Sequence, residues 1–317
     1  MKKKKETVPK RERRFTNKKL AIISSAIISV IALGIMFYQI FIMDHPEIKF
    51  SFNAAIIDQV GANPPSDPES AREFNETVTR ILEDAGFTVF YYRSGSITVN
   101  LYKGLAKNNY GLIILRVHSA LREGETEIDF FTSEKFEDNR YRDEQNEGLL
   151  TMGNYSWQPG ESYFAITPKF IERLDGYFPK SIVIAMGCWS LKSNYEEMAQ
   201  AFIKKGAKAY IGWTDALSMA HSDNSTIRFL QYLLENNMTI SDAVDKCNTF
   251  HDPVIYYHAE LSYYPSQIGD YKFSDFKFAL VYTSSMGRKG FFQKLPLNSL
   301  RRLATTLYSF SLSIVPA

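Results

Sequence analysis

Two short apolar runs in the middle of the chain each have a chemically reactive side chain near the carboxyl end. The first covers residues 111–119 and contains His118, and the second covers residues 181–190 and contains Cys188. Runs of this length that are apolar at nearly every position are typical of strands buried on both faces of a parallel sheet. Because the carboxyl ends of parallel strands meet at one edge of the sheet, we expect His118 and Cys188 to emerge at the same edge.

Stretches with the 3.6-residue spacing of amphipathic helices alternate with strand-like runs over most of the chain. The predicted strands are residues 54–58, 87–92, 111–119, 162–166, 181–188, 209–213 and 277–282, and the predicted helices are residues 70–86, 99–106, 168–174, 195–205, 223–234, 240–247 and 298–310. We expect Thr167 to cap the helix that begins at Pro168, and Asp223 to cap the helix that begins there. This alternation predicts right-handed crossovers and a parallel sheet covered by helices.

Residues 122–147 interrupt the alternation with a polar stretch that contains ten acidic side chains. Within it only residues 128–132 have the composition of a strand, so we expect a hairpin and a loop that return through the strand at 162–166. The position of this stretch directly after His118 suggests a lid or an activation segment beside the site. A solvated surface insertion is the simpler alternative.

The amino-terminal segment has the pattern of a membrane anchor. Ten of the 37 Lys and Arg residues lie in positions 1–19, and residues 20–43 contain no charged side chain. A helix of this length spans a hydrocarbon core of ~30 Å. We expect the positive flank to stay in the cytoplasm and the rest of the chain to lie on the outer side of the cell membrane. A cleaved signal peptide is the alternative, although no small-residue cleavage motif precedes Asp44.

Composition and charge limit what the remaining chain can do. Its 317 residues are 45% hydrophobic, which is enough for a globular core. Beyond position 19 the chain holds 27 basic and 33 acidic residues, and this acidic balance gives no support for nucleic-acid binding. Since neither a repeat nor a second linker divides residues 51–317, we expect a spacer at 44–50 followed by a single α/β domain.

A cysteine beside a histidine is the minimum equipment for nucleophilic catalysis, because the imidazole can take the thiol proton. An inert strand cysteine and a disulfide between Cys188 and Cys247, the two cysteines of the chain, are the alternatives. The remaining histidines lack the spacing of metal ligands, and the G-x-S-x-G motif of serine hydrolases is absent from the sequence. Neither a metal nor a cofactor is therefore predicted.

The order of these parts resembles that of the caspase-like cysteine peptidases, with the gingipain and CHAT branches nearest. The resemblance covers residues 54–247. It rests on the strand ending in His118, the hairpin excursion, the Thr167-Pro168 helix start, the buried strand ending in Cys188, and the passage Ala-Phe-Ile-Lys-Lys-Gly-Ala-Lys-Ala-Tyr-Ile-Gly at 201–212. It implies a three-layer α/β/α sandwich with a mostly parallel sheet, preceded in this chain by one amino-terminal transmembrane helix.

Position by position, the resemblance implies that Cys188 is the nucleophile and His118 the base. The backbone N–H groups of Cys188 and Ser119 correspond to the oxyanion hole. The chain departs from the family at Ser119, because the usual sequence is His-Gly and a side chain here narrows the approach to the intermediate. Met186 stands where relatives often carry a polar side chain of the specificity pocket.

Three further residues near strand ends, Asp58, Asp215 and Trp213, complete the predicted substrate-binding set with Met186. Either aspartate could select Arg or Lys before the scissile bond, as in several relatives of this fold. A turn or a helix cap is the more ordinary role of an aspartate at a strand end.

The sequence therefore predicts a membrane-anchored cysteine endopeptidase that acts outside the membrane. Its expected partners are the lipid bilayer, through residues 20–43, and a peptide or protein substrate. A catalytically inactive caspase-like domain that serves as a membrane-tethered binding or scaffold module is the alternative, and so is noncovalent binding of a small ligand at the same edge. The sequence predicts no oligomeric state.

Overall fold

The computed structural model describes residues 29–31, 33–34, 50–60, 68–122, 124 and 127–276. The chain divides into two units, Met1–Ile48 and Lys49–Ala317, and every element labelled below belongs to the second. In the first unit residues 29–31 and 33–34 are helical, and the rest of the predicted anchor at 20–43 lies outside the described residues. Within the described ranges, no helix is long and apolar enough to cross a membrane. The predicted strand at 277–282 and helix at 298–310 also lie outside these ranges.

Strands and helices alternate along the second unit. The strands are β1 (Asn53–Asp58), β2 (Thr88–Arg93), β3 (Leu112–Arg116), β4 (Ser119–Leu121), β5 (Ile128–Lys135), β6 (Leu150–Asn154), β7 (Ser162–Ile166), β8 (Ile182–Ala185), β9 (Ala209–Trp213) and β10 (Leu261–Tyr264). The helices are α1 (Pro68–Asp84), α2 (Val99–Gly104), α3 (Arg142–Asn146), α4 (Pro168–Arg173), α5 (Glu197–Lys204), α6 (Met219–Leu230) and α7 (Ile240–Cys247).

The main sheet has the strand order β10-β9-β8-β3-β1-β2. Its strands pair in parallel, except that β10 runs antiparallel to β9 at one edge. The prediction of an α/β fold with a mostly parallel sheet is therefore confirmed.

Alternate residues of the central strands point to opposite faces of the main sheet, and each face is covered by helices. One row across four strands consists of isoleucines that face α1, α6 and α7: Ile56, Ile114, Ile184 and Ile211. The neighbouring positions, among them Ile113 and Val183, face α2, α4 and α5. These strands carry no polar face because helices bury both sides, which explains the near-continuous apolar runs of the sequence.

The acidic excursion after His118 forms a second, four-stranded antiparallel sheet in the order β4-β5-β7-β6. The predicted hairpin with residues 162–166 as its last strand is thus confirmed. The inner face of this sheet adds Phe130 and Phe164 to the core that lies against α2, α4 and α5. Because β4 follows β3 after only two residues, His118 lies at the junction of the two sheets.

One local prediction was wrong, and one strand was missed. The side chain that caps α6 belongs to Ser218, which accepts a hydrogen bond from the His221 N–H at 3.2 Å, whereas Asp223 lies inside the helix and faces Arg116. The edge strand β10 was not predicted, because its half-buried sequence Leu-Ser-Tyr-Tyr is short and borders an exposed loop. Thr167, in contrast, caps α4 as predicted and accepts from the Phe170 N–H at 3.2 Å.

Candidate active site

A cavity of about 400 Å³ opens where β1, β3 and β8 end, at the carboxyl edge of the main sheet. His118, two residues after β3, and Cys188, three residues after β8, both line this cavity. The thiol and the imidazole therefore emerge on the same edge, as the two apolar runs predicted. This edge is where open parallel sheets present reactive groups.

Close packing of two strand ends holds Cys188 at the cavity. Beyond β8 the Met186 N–H still donates to the Leu115 carbonyl at 2.9 Å, so the main chain follows β3 as far as position 186. The next residue has to be glycine, because a Cβ on Gly187 would lie 2.6 Å from the Val117 carbonyl oxygen. The Ser119 hydroxyl then donates to the Cys188 carbonyl at 2.6 Å. The Ser119 side chain is thus bonded to the nucleophile's own main chain.

The turn after Cys188 is fixed by Asp215. Trp189 adopts a left-handed backbone conformation, with φ 56°, which is unfavourable for a residue with a side chain and is found mostly where surrounding structure enforces it. Its indole N–H donates to the Asp215 carboxylate at 2.7 Å, and its backbone N–H donates to the Asp215 carbonyl at 3.1 Å. Asp215 therefore holds the turn that presents Cys188, and its carboxylate is already engaged.

The Cys188 thiol is protonated at neutral pH in the resting site. Burial raises its pKa above the ordinary value, and the nearby charges of Asp215 and Asp252 act in the same direction. The thiol is directed at the Leu217 carbonyl, at 3.8 Å. Cys247 is a separate, buried free thiol directed at the Ser225 carbonyl, at 3.6 Å, so the alternative of a Cys188–Cys247 disulfide is not realised.

The His118 imidazole is neutral at the same pH. Burial lowers its pKa to about 4, and the positive charge of Arg116 contributes. The ring packs against Tyr155 and Trp157, with centroid distances of 5.0 and 5.1 Å, and its buried Nε2 atom lacks a hydrogen-bond partner among the described residues. A neutral imidazole is able to accept the proton of a neutral thiol, which is the first requirement of a base.

Gln59 holds both the backbone of His118 and Tyr155, the aromatic residue that packs against the His118 ring. Its side-chain oxygen accepts from the His118 backbone N–H at 2.9 Å, and its side-chain nitrogen donates to the Tyr155 hydroxyl at 2.7 Å. Gln59 is fully buried directly after β1. It was missed in the sequence because a lone glutamine after a short strand carries no motif.

Two backbone N–H groups are candidates for the oxyanion hole. Within the described chain, the Cys188 N–H donates to no other residue. The Phe131 N–H of β5 donates to the His118 carbonyl, and Ser119 lies opposite Phe130. In an antiparallel ladder such a pair is not hydrogen-bonded, so the Ser119 N–H points away from β5. Both predicted donors are thus free of the sheet ladders that would otherwise occupy them.

Asp58 belongs to a buried ion cluster behind the cavity wall. Its carboxylate accepts from Arg116 Nη1 at 2.7 Å and from the Tyr91 hydroxyl at 2.8 Å. Arg116 also donates from Nε and Nη2 to the two oxygens of Asp223, each at 2.8 Å. Arg116 and Asp223 line the cavity, whereas Asp58 contacts it only through Arg116.

The remaining predicted substrate-binding residues differ in position. Met186 is buried and lines the cavity beside Cys188. Trp213 is buried but does not line the cavity; its ring lies 5.3 Å from that of His221, and its backbone N–H donates to the Ser190 hydroxyl. The exposed aromatic residues of the cavity, Trp157 and Tyr256, were missed, because they lie in loops whose course the sequence pattern does not indicate.

In comparisons with known proteins, no family model matches the sequence. No curated protein matches it either. The structure is similar to that of the Arg-specific cysteine proteinase gingipain R, with a TM-score of 0.44 and 13% identity over 64% of this chain and 42% of that chain. It is also similar to the Drosophila initiator caspase Dronc, with a TM-score of 0.39 and 8% identity over 70% of this chain and 82% of that chain. This chain thus spans less than half of gingipain R, and with both TM-scores below 0.5 its function has to be argued from its own site.

Proposed function

We propose that residues 51–317 form a cysteine peptidase domain and that residues 20–43 tether it to the outer side of the cell membrane. The observation that carries the proposal is the cavity that Cys188 and His118 share at the carboxyl edge of the sheet. The basic residues at 1–19 and the uncharged segment that follows support the tether.

In the proposed reaction both groups start neutral. As the Cys188 sulfur attacks the scissile carbonyl carbon, the thiol proton passes to His118, and the negative charge on the carbonyl oxygen is bound by the N–H groups of Cys188 and Ser119. The C–N bond then breaks while His118 returns the proton to the leaving amine, which leaves a thioester. Water attacks this thioester with His118 again as base, and the acid product and the free thiol are released.

The resting protonation states support a mechanism in which the Cys188 thiol loses its proton only during attack on bound substrate, and not one in which a thiolate is present beforehand. A thiol with a raised pKa and an imidazole with a lowered pKa do not form an ion pair on their own. Proton transfer then accompanies bond formation, when the developing oxyanion is stabilised.

The alternative, a binding module without chemistry, is favoured by one observation, the raised pKa of the Cys188 thiol. Turnover separates the two functions. The full chain in mild detergent, incubated with a mixed peptide library at pH 7, should cleave peptides, and Cys188→Ala and His118→Ala should each lower the rate at least ~100-fold. Cys247→Ala is the matched control, because that thiol lies outside the cavity lining, and it should leave the rate unchanged. Cleavage that survives Cys188→Ala, or library binding without cleavage, would contradict the peptidase.

A further inference from the structure

The charged groups of the catalytic cavity are already saturated by one another. Arg116 gives three of its N–H groups to Asp58 and Asp223, and both oxygens of the Asp223 carboxylate accept from it. The second Asp58 oxygen is occupied by the Tyr91 hydroxyl. A charged substrate side chain would therefore compete with a buried ion pair for its partner, whereas an uncharged side chain would not.

Apart from this ion cluster, the catalytic pair, Ser218 and Ser222, the lining is apolar or aromatic. Aliphatic and thioether side chains come from the ends of β1, β3 and β8, from the start of α6 and from the loop before β10: Val60, Val117, Met186, Leu217, Met219 and Val254. Three aromatic rings complete the lining, Trp157 from the loop between β6 and β7, and Tyr256 and Tyr257 from the loop before β10. A cavity of about 400 Å³ with this lining is large enough to take a bulky uncharged side chain.

Two of these large aromatic rings are exposed to solvent. The exposed fraction is 49% for Trp157 and 72% for Tyr256, and both border the cavity that holds the thiol. Trp157 is nevertheless held in place, because it stacks on Tyr155 at 4.9 Å and Tyr155 stacks on the buried ring of Phe131 at 4.9 Å. A ring ordered in advance binds an apolar partner with little further loss of conformational entropy.

We propose that this cavity selects a bulky uncharged side chain, such as Phe, Tyr, Leu or Met, next to the scissile bond of the substrate, and that Trp157 is the wall against which that side chain packs. The inference rests on the proposed peptidase function and adds its substrate class. It replaces the predicted choice of Arg or Lys by Asp58 or Asp215, whose carboxylates are engaged by Arg116 and by Trp189.

Turnover of a matched peptide series tests the preference. The full chain in mild detergent is assayed on acetyl-Ala-Ala-Ala-X-aminomethylcoumarin with X as Phe, Leu, Met, Ala, Arg, Lys or Asp. We expect kcat/KM for Phe, Leu or Met to exceed that for Ala, Arg, Lys and Asp at least roughly tenfold. A preference for Arg or Lys would mean that the ion cluster, which has two carboxylates and one cation, attracts a basic side chain. That result would overturn the inference and leave the peptidase intact, because the peptides would still be cleaved.

Trp157→Ala tests the wall itself. We expect the ratio of kcat/KM between the Phe and Ala peptides to fall roughly tenfold, and Trp157→Phe to restore most of it. A general loss that leaves this ratio unchanged would mean that Trp157 only supports His118, and would overturn its role in selection. Tyr177→Ala is the matched control, since that tyrosine is 61% exposed and lies before β8, at the opposite edge of the sheet.

Binding separates failure of the inference from failure of the proposed function. Cys188→Ala protein is titrated with fluorescein-labelled Ala-Ala-Ala-Phe amide and with the corresponding Arg and Asp peptides. Tighter binding of the Phe peptide that is lost in Cys188→Ala/Trp157→Ala supports the cavity assignment even if the wild type cleaves nothing. Equal binding of the three peptides, or no binding of any, overturns it.

Discussion

Arg116 is the residue on which the electrostatics of the site depend. It lies two positions before His118, and burial together with its charge holds the pKa of His118 at about 4. It also bridges Asp58 and Asp223 at the cavity wall. Sequence reasoning identified Cys188 and His118 by their place at the ends of apolar runs. It missed Arg116 because a single arginine inside such a run has no visible partner, and Asp223 lies 107 positions away.

Removal of the Arg116 charge tests the ion cluster. Arg116→Met should lower the free energy of unfolding by about 3–5 kcal/mol, because it leaves two buried carboxylates without their cation. Urea unfolding at pH 7 measures the change. Arg72→Met is the control: Arg72 pairs with Glu69 and Glu76 while 60% of its side chain is exposed, so the expected loss is below ~1 kcal/mol. Equal losses in the two variants would contradict the cluster.

The lowered pKa of His118 predicts a dependence of stability on pH. Its pKa is about 4 in the folded state and ~6.5 in the unfolded chain, so the contribution is complete above pH 6.5 and is lost as the pH falls towards 4. Between pH 7.5 and 4.5 the wild type should lose about 2 kcal/mol more than His118→Gln in urea unfolding. If both proteins lost the same amount of stability, His118 would not be buried as described.

The lowered pKa of His118 also predicts the pH dependence of activity. The value of kcat/KM should stay high down to about pH 5 and fall below it, since His118 must be neutral to act as base.

Two elements added around the sheet turn its open edge into a cleft. The hairpin of β6 and β7 brings Trp157 to His118, and the loop between α7 and β10 brings Val254 and Tyr257 to the other side of the cavity. The sequence pattern after His118 predicted the strands at 128–132 and 162–166, which belong to β5 and β7, but it did not predict β6. The loop before β10 could not be predicted, because its course depends on a contact with the distant start of α6.

Asp252 makes that contact, and its removal tests the loop. Its carboxylate accepts from the N–H groups of Ser218 and Val254, at 2.7 and 2.9 Å. In Asp252→Ala we expect both amides to exchange with deuterium roughly tenfold faster, while amides of the central strands keep their protection. Asp245→Ala, an exposed aspartate on α7, is the control. Unchanged protection at Ser218 and Val254 would mean that the loop is held in another way.

The alternation of apolar runs and amphipathic stretches predicted the five parallel strands of the main sheet but not the antiparallel edge strand β10. Strands buried on both faces must be apolar throughout. Ile56, Ile114 and Ile184 form one such row beneath the helices of one face, and the residues between them are covered by the helices of the other face. The order of the strands and the composition of the cavity were beyond such reasoning, because they depend on contacts between residues far apart in the sequence.

The proposed tether is a prediction about the whole chain. Because residues 20–43 are uncharged and follow a basic segment, the full chain should stay in the membrane fraction after alkaline carbonate washing. Protease added outside intact cells should digest the domain. A chain without residues 1–43 should appear in the soluble fraction. Release of the full chain by carbonate, or protection of its domain from external protease, would contradict the anchor or its orientation.

Covalent trapping of Cys188 by a substrate-like electrophile tests the proposed catalytic pair most directly. The full chain is treated at pH 7 with iodoacetamide or with acetyl-Ala-Ala-Ala-X acyloxymethyl ketones, X being Phe or Arg, and the adduct is mapped by mass spectrometry. Because the resting thiol is protonated, we expect slow alkylation by iodoacetamide and at least ~100-fold faster trapping by one of the ketones. Fast trapping should disappear in Cys188→Ala and His118→Ala and persist in Cys247→Ala. Trapping that is slow with both ketones, or that does not depend on His118, would contradict a catalytic pair.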